Sequence, residues 1–342
     1  MLITHDLAVA GDRADQLVVM KKGKVRESGL APAVLTDPQD EYSRALLADA
    51  PSLATADAAR QHIADPEAET VLTVDGFGKD FAGVTAVDQV SFQVRRGHTH
   101  AIVGESGSGK TTTGRAIAGL HEPSRGTIEL NGLDVGRTAA AAATGFARSP
   151  QRRKAGAADA DELRRMVQMV YQNPYSSLDP RQKISSIIAE PLENFGKPSG
   201  PEQIARALEL VALDPQLAER LPKELSGGQL QRVAIARALV VEPDLVVFDE
   251  AVSALDVTVQ AQILRLLDQL QRDLNLTYIF VSHDLAVVRQ ISDTVSGLSG
   301  GRQVEAGPTE EIFPHPQTEY TRTLIDAIPG SRYRTGGLNL GI

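Results

Sequence analysis

The stretch AIVGESGSGKTTTG constrains this chain more than any other. An apolar run ends at Gly104, a loop of glycines and serines follows, and a helical pattern opens at Lys110. Gly104–Thr111 has the spacing G-x-x-x-x-G-K-[ST], and it lies between a strand and a helix, where the chemistry of that spacing requires it. Gly104, Gly107 and Gly109 let the backbone curl so that successive N–H groups point inward around phosphate oxygens, with Glu105, Ser106 and Ser108 on the same turn. Lys110 then reaches the terminal phosphates, Thr111 offers a hydroxyl to Mg²⁺ beside Thr112, and the helix adds the positive end of its dipole. A glycine-serine turn without a ligand is the plain alternative, and the flanking strand and helix speak against it.

A second element, LVVFDE at Leu245–Glu250, reads as a buried strand ending in two carboxylates. Asp249 is placed to hold Mg²⁺ through water, and Glu250 to orient and deprotonate an attacking water. Two acids at a strand end are commonplace alone; with the loop at Gly104 they identify a nucleotide hydrolase. Strands and helices alternate through the rest of this region, with a strand ending at Gln172 and a helical stretch from about Ile184 to Leu221, which points to a mostly parallel α/β sheet covered by helices.

Sliding the sequence along itself by 278 positions sets His5, Asp6, Leu7, Ala8 and Val9 on His283, Asp284, Leu285, Ala286 and Val287. The register continues without a gap through Gly23 on Gly301, Glu27 on Glu305, and Pro38, Gln39, Glu41, Tyr42 and Arg44 on Pro316, Gln317, Glu319, Tyr320 and Arg322. The chain therefore divides into residues 1–51, a partial copy of its own late portion; an Ala/Asp/Pro-rich linker at 52–70; and a complete unit at 71–342. Residues 136–160, alanine-biased with the basic cluster RSPQRRK, read as a solvent-exposed insertion, with contact to an acidic or lipid surface as the alternative.

A formal charge of −9 opposes binding to a phosphate backbone, so nucleic acid is not an expected partner. The absence of cysteine removes disulfides and thiolate chemistry and fits a reducing compartment. No run approaches the roughly 20 apolar residues of a membrane-spanning helix, and the start lacks the layout of an export signal.

Three further segments carry a resemblance. LSGGQLQR at Leu225–Arg232 precedes a helical run, SALD follows the paired acids, and VSHD follows the next apolar strand. With the loop at Gly104 this resembles ABC-type ATPases. The resemblance implies a P-loop NTPase fold with a mixed core sheet, an antiparallel β subdomain and a helical signature subdomain. It implies that Ser226, Gly227, Gly228 and Gln229 cap the γ-phosphate of ATP held by an opposite subunit. It also makes Gln172 the Q-loop residue and a metal contact with Thr111 and Asp249, Asp256 a D-loop residue, His283 the switch histidine, and Phe81 an aromatic platform for adenine. Glu250 and His283 are then the catalytic pair. The sequence LSGGR at Leu298–Arg302 mimics the signature but precedes no helical run, and reads as a hairpin turn.

YQNPYSSLDPR at Tyr171–Arg181 and the tail EEIFPHPQTEYTRTLIDAIP are similar to the branch that drives bacterial import of oligopeptides, dipeptides, glutathione and nickel. That likeness implies a peripheral ATPase on the cytoplasmic face of the membrane. Its partners would be a second ATPase domain, identical or different, two permease subunits and, indirectly, an extracytoplasmic solute-binding protein. Some members fuse two ATPase domains in one chain, and residues 1–51 match the end of such a domain from its switch histidine onward. Ala251 and Val252 depart from the Pro-Thr usual after the catalytic glutamate. Competing readings are a non-transport ABC ATPase of translation or DNA repair, which the charge opposes, and a catalytically silent binding partner.

Overall fold

The computed structural model describes residues 1–4, 6–50, 65–138 and 159–329. His5, most of the expected linker and most of the expected 136–160 insertion lie outside these residues. The first unit runs α1 (Leu7–Arg13), β1 (Gln16–Lys21), β2 (Lys24–Leu30), α2 (Ala31–Thr36) and α3 (Glu41–Asp49). The second begins with β3 (Thr70–Phe81), β4 (Val84–Arg95), β5 (Thr99–Gly104), α4 (Lys110–Ile117), β6 (Arg125–Leu130), β7 (Leu133–Asp134) and β8 (Val167–Val170). It continues with α5 (Pro174–Ser177), α6 (Ile184–Asn194), α7 (Pro201–Leu210), α8 (Gly227–Leu239), β9 (Leu245–Asp249), α9 (Val257–Leu274) and β10 (Thr277–Val281). It closes with α10 (Leu285–Ile291), β11 (Thr294–Ser299), β12 (Arg302–Pro308), α11 (Thr309–Ile312) and α12 (Glu319–Asp326).

The strands of the second unit form one sheet of ten in the order β7-β6-β3-β4-β12-β11-β5-β10-β9-β8. One side of it, from β11 to the edge strand β8, is parallel, and β3, β4, β6 and β7 pair antiparallel at the other. A single bridge, Arg302 opposite Asp88, joins the two parts. The strands β5, β9 and β10 are buried along their whole length. Period-two alternation therefore feeds two cores. Ala101, Val103, Val246, Phe248, Tyr278 and Phe280 point to the helices α6, α8, α9 and α10, and Ile102, Leu245, Val247, Ile279 and Val281 point to α4 and the antiparallel strands. Each such side chain contributes about 1.5–3 kcal/mol on burial, so this double face is what fixes the sheet under the loop at Gly104.

Two expectations change in detail. The strand expected to end at Gln172 stops at Val170, which leaves Gln172 on an exposed loop. The helical stretch expected over Ile184–Leu221 is broken, because Gly196, with φ +63, and the Pro198–Gly200 segment end α6 before Pro201 starts α7. The signature-like LSGGR is a two-residue hairpin between β11 and β12, with Gly300 at φ +54 and Gly301 at φ +82.

The first unit repeats that hairpin. Lys22 and Gly23 turn at φ +50 and +74, and a register shift at Val19/Met20 falls where β11 and β12 shift at Gly297/Leu298. Asp6 caps α1 through the N–H groups of Ala8 and Val9, as Asp284 caps α10 through Ala286 and Val287. Glu27 accepts from the N–H groups of Gln39 and Asp40, as Glu305 does from Gln317 and Thr318. A small apolar core of Ala10, Leu17, Val19, Ala31 and Val34 holds these pieces together.

Candidate active site

The loop after β5 is built by glycines that no other residue could replace. Gly104 sits at φ +145, and a Cβ there would stand 2.1 Å from the Leu298 carbonyl oxygen. Gly109, at φ +99 and opening α4, would press a Cβ to 2.8 Å from Val87. Lys110 is buried and folds back, its Nζ donating at 2.8 Å to the carbonyl oxygens of both Gly104 and Glu105. Burial lowers its pKa, and the carboxylates of Glu250 and Asp249 oppose that shift. The Ser108 hydroxyl is buried without a hydrogen-bond partner. A buried polar atom left unpaired costs about 1–3 kcal/mol, which an anion in the loop would relieve. Glu105, Ser106 and Gly107 are exposed at its mouth, and Thr112 lies one turn inside.

Thr111 ties this loop to the acid pair, its Oγ1 donating to Asp249 Oδ1 at 2.9 Å. Asp249 closes β9 and is 5 % exposed. Burial raises its pKa, partly offset by the Thr111 hydrogen bond and by Arg115. A divalent cation at this hydroxyl–carboxylate pair would favour the ionised form. Among the described residues no cluster of three or more His, Cys, Asp or Glu offers a complete metal cage. Thr111 and Asp249 therefore fit a cation that takes its remaining ligands from phosphate and water, as Mg²⁺ does.

Glu250 lies one residue past the strand, in a left-handed conformation at φ +50. A non-glycine residue held there stores about 1–3 kcal/mol. Its N–H bonds the Val281 carbonyl, and Ser253 Oγ donates to its own carbonyl at 2.9 Å, so the turn is pinned at both ends. The side chain is thereby aimed away from the sheet. Gln172 Nε2 donates to one of its oxygens at 2.9 Å, and His283 Nδ1 stands 3.4 Å from the other. Gln172, expected as a metal contact, thus touches Glu250 with its amide nitrogen.

The remaining expected residues divide. Ser226 caps α8 through the N–H of Gln229, whose side chain answers to the Ser226 N–H. Gly227 and Gly228 form the first turn, and a Cβ at Gly228 would meet Val259 at 2.5 Å. Val259 in turn donates its N–H to Asp256, the cap of α9, so signature and D-loop residues form one packed unit. No hydrogen bond among the described residues links Ser226–Gln229 to Gly104–Thr112. Phe81 ends β3 outside both apolar cores, 42 % exposed. Its ring meets His121 edge-on at 5.3 Å and carries the Lys79 ammonium at 5.2 Å.

Tyr320 went unnoticed as a site residue. From α12 its hydroxyl accepts the N–H of Glu105 at 3.2 Å and donates to the Leu298 carbonyl at 3.1 Å. The same Leu298 carbonyl crowds Gly104. The C-terminal helix therefore braces the entry of the phosphate loop. The signal for it in the sequence was the match of Tyr320 to Tyr42 in the internal repeat.

Residues 87–253 match the family model described as ABC transporter, and residues 304–339 match the oligopeptide/dipeptide transporter C-terminal region. The chain is 40% identical over 363 aligned positions to the glutathione import ATP-binding protein GsiA of Escherichia coli O157:H7. Its similarity to the same protein of Shigella dysenteriae is equal, and in both cases the match takes in 96% of this chain and 56% of the relative. The chain thus spans little more than half the length of these curated relatives. Among solved structures, cbiO1 of Clostridium perfringens, described as part of the ABC transporter complex cbiONQ, aligns with a TM-score of 0.61 and 26% identity. That alignment covers 72% of this chain and 92% of the other.

Proposed function

We propose that this chain, which belongs to the ABC transporter family by its fold and its two family regions, hydrolyses ATP to energise import of a peptide-class solute. One observation carries the reading. The phosphate loop, Asp249 and Glu250 are joined into one site by Thr111, while Gln172 and His283 both converge on the Glu250 carboxylate. That is the arrangement of a nucleotide hydrolase with its nucleophile-activating base already held in place.

The loop amides and Lys110 bind the phosphates, with Lys110 exchanging its contacts to Gly104 and Glu105 for phosphate oxygens. Mg²⁺, held by Thr111 and Asp249, would neutralise charge building on the phosphates. Glu250 accepts the proton of the attacking water. His283 fixes the Glu250 carboxylate from one side and contacts the γ-phosphate from the other, and Gln172 reports the state of the site to the loop beyond it. Phe81 receives the adenine ring. Ser226–Gln229 serve the nucleotide of a facing domain, since no hydrogen bond among the described residues joins them to the chain's own loop, so turnover requires two such domains face to face. The membrane partner, a pair of permease subunits fed by a solute-binding protein, docks beside Gln172 and α6.

Peptides, glutathione among them, are the solute class that the C-terminal region and the relatives support. Among the described residues no helix is long and apolar enough to cross a membrane; the reading as an import ATPase makes the chain a peripheral subunit on the cytoplasmic face. Residues 1–51 stand as the end of a first ATPase domain, 52–70 as the linker and 71–342 as the second, complete domain. The matched caps, bulge and carboxylate clasps support that division.

Glu250→Gln removes the base and keeps the shape. Steady-state ATP hydrolysis is expected to fall at least about 100-fold with ATP affinity retained, on the scale of a lost general base. Hydrolysis at the unmodified rate would falsify the assignment.

A further inference from the structure

A cleft of about 370 Å³ opens beside the catalytic cluster, and both units line it. One wall holds Ser253 and Leu255 from the turn after Glu250, Val257 and Gln260 from α9, and His283. Residues related by the internal repeat line it together, Asp6 with Asp284 and Ala50 with Ile328, each pair 278 positions apart. Asp6 is near enough to add to burial in raising the pKa of Asp284. Ala50 is 2 % exposed, stands outside the first unit's own apolar core and lines the cleft with residues of the second unit. Nearby, α3 packs along α9, with Asp49 accepting from Arg265 at 2.8 Å.

Equivalent residues of two copies come together at one point only when a local two-fold axis runs between them, as in an isologous interface. We infer that residues 6–50 sit on the complete ATPase unit in the place of the corresponding segment of a facing unit, so the face beside Glu250 and His283 is filled from within the same chain. In a two-fold dimer of complete units about that axis, residues 284–328 of a second copy would need the space that residues 6–50 hold. The chain therefore does not pair with itself there while this segment is seated. This inference rests on the proposed two-domain hydrolysis, but the seating itself does not.

The chain has no cysteine, so a designed pair gives an unambiguous signal. In the full chain, Asp49→Cys with Arg265→Cys and a short bis-maleimide should give an intrachain product at monomer mass, without nucleotide. Interchain products alone, or none, overturn the seating. The consequence is read in full-length Glu250→Gln with ATP and Mg²⁺ by light scattering. The chain is expected to stay monomeric. Arg265→Glu should raise the dimer fraction roughly 5-fold, the scale of a lost and reversed surface pair, and adding Asp49→Arg should return it. Dimerisation of Glu250→Gln alone, to the same extent as with Arg265→Glu, overturns the inference. A chain that fails to bind labelled ATP but gives the intrachain product instead overturns the proposed hydrolysis and leaves the seating in place.

Discussion

The hairpin β1–β2 and the hairpin β11–β12 are nearly the same object in two environments. They share strand register, the displaced residue pair, the left-handed turn and the glutamate that clasps the following loop. Yet Val18 and Met20 are each 57 % exposed, whereas Ser296 and Leu298 at the matching positions are 0 % exposed. The difference is the neighbour. β11 lies between β5 and β12 in a sheet of ten, and among the described residues β1 pairs only with β2. Local sequence sets turn, cap and register in both copies, while burial and chemistry come from the strand that carries the phosphate loop. Among the described residues the first hairpin keeps that shape with no such neighbour beside it.

The largest effect should come from testing that neighbour. Leu298→Ala removes a fully buried side chain packed in the core under β3 and β4, and is expected to cost about 2–5 kcal/mol in urea unfolding. Met20→Ala at the matching position is expected within about 0.5 kcal/mol. A cost for Met20→Ala close to that for Leu298→Ala would mean that something covers the β1 face in solution, and would break the comparison.

A smaller effect follows from the side of β5 that meets β11. His100 is buried between Thr294 Oγ1 at 2.7 Å and Ser296 Oγ at 3.0 Å, and stacks on Phe92 at 4.0 Å. Burial pushes its pKa down from 6.5 to about 3. The unfolded chain therefore binds the proton first, and the neutral ring's contribution is complete above pH 6.5 and declines as pH falls toward 3. Between pH 7.5 and 5.5 the loss is about 1.4 kcal/mol, and His100→Gln should flatten it. In β1 the positions of Thr294 and Ser296 are Gln16 and Val18, so the first unit should show no such acid sensitivity.

Much of this was legible in the sequence where a residue's role is local. Gly104 and Gly109 declare a backbone that must curl, and the Gly300–Gly301 pair declares a turn despite its likeness to a signature. Other contacts depend on tertiary placement that no spacing encodes. The bond from Gln172 to Glu250 spans 78 residues, and that from Glu105 to Tyr320 spans 215. The break between α6 and α7 turns on Gly196 at φ +63 and on Pro201, which opens α7, signals that a single helical reading over Ile184–Leu221 passes over.

Tyr320 gives the finest test of what the missing neighbour supplies. Tyr42 occupies the matching place on α3 and has the same ring, but among the described residues that ring meets the Lys21 ammonium, 4.1 Å from its centre. The Tyr320 hydroxyl ties the Glu105 N–H to the Leu298 carbonyl, and so holds the point at which β5 leaves the sheet for the loop. Tyr320→Phe removes only the oxygen. One neutral hydrogen bond of this kind is worth about 0.5–1.5 kcal/mol, so the KM for ATP should rise roughly 3- to 10-fold, with kcat within about twofold and the melting temperature nearly unchanged. Tyr42→Phe should change none of the three. A fall in melting temperature without a change in KM would assign Tyr320 to packing of the C-terminal helix alone; equal effects at Tyr42 and Tyr320 would mean that the first copy, too, closes onto a phosphate loop.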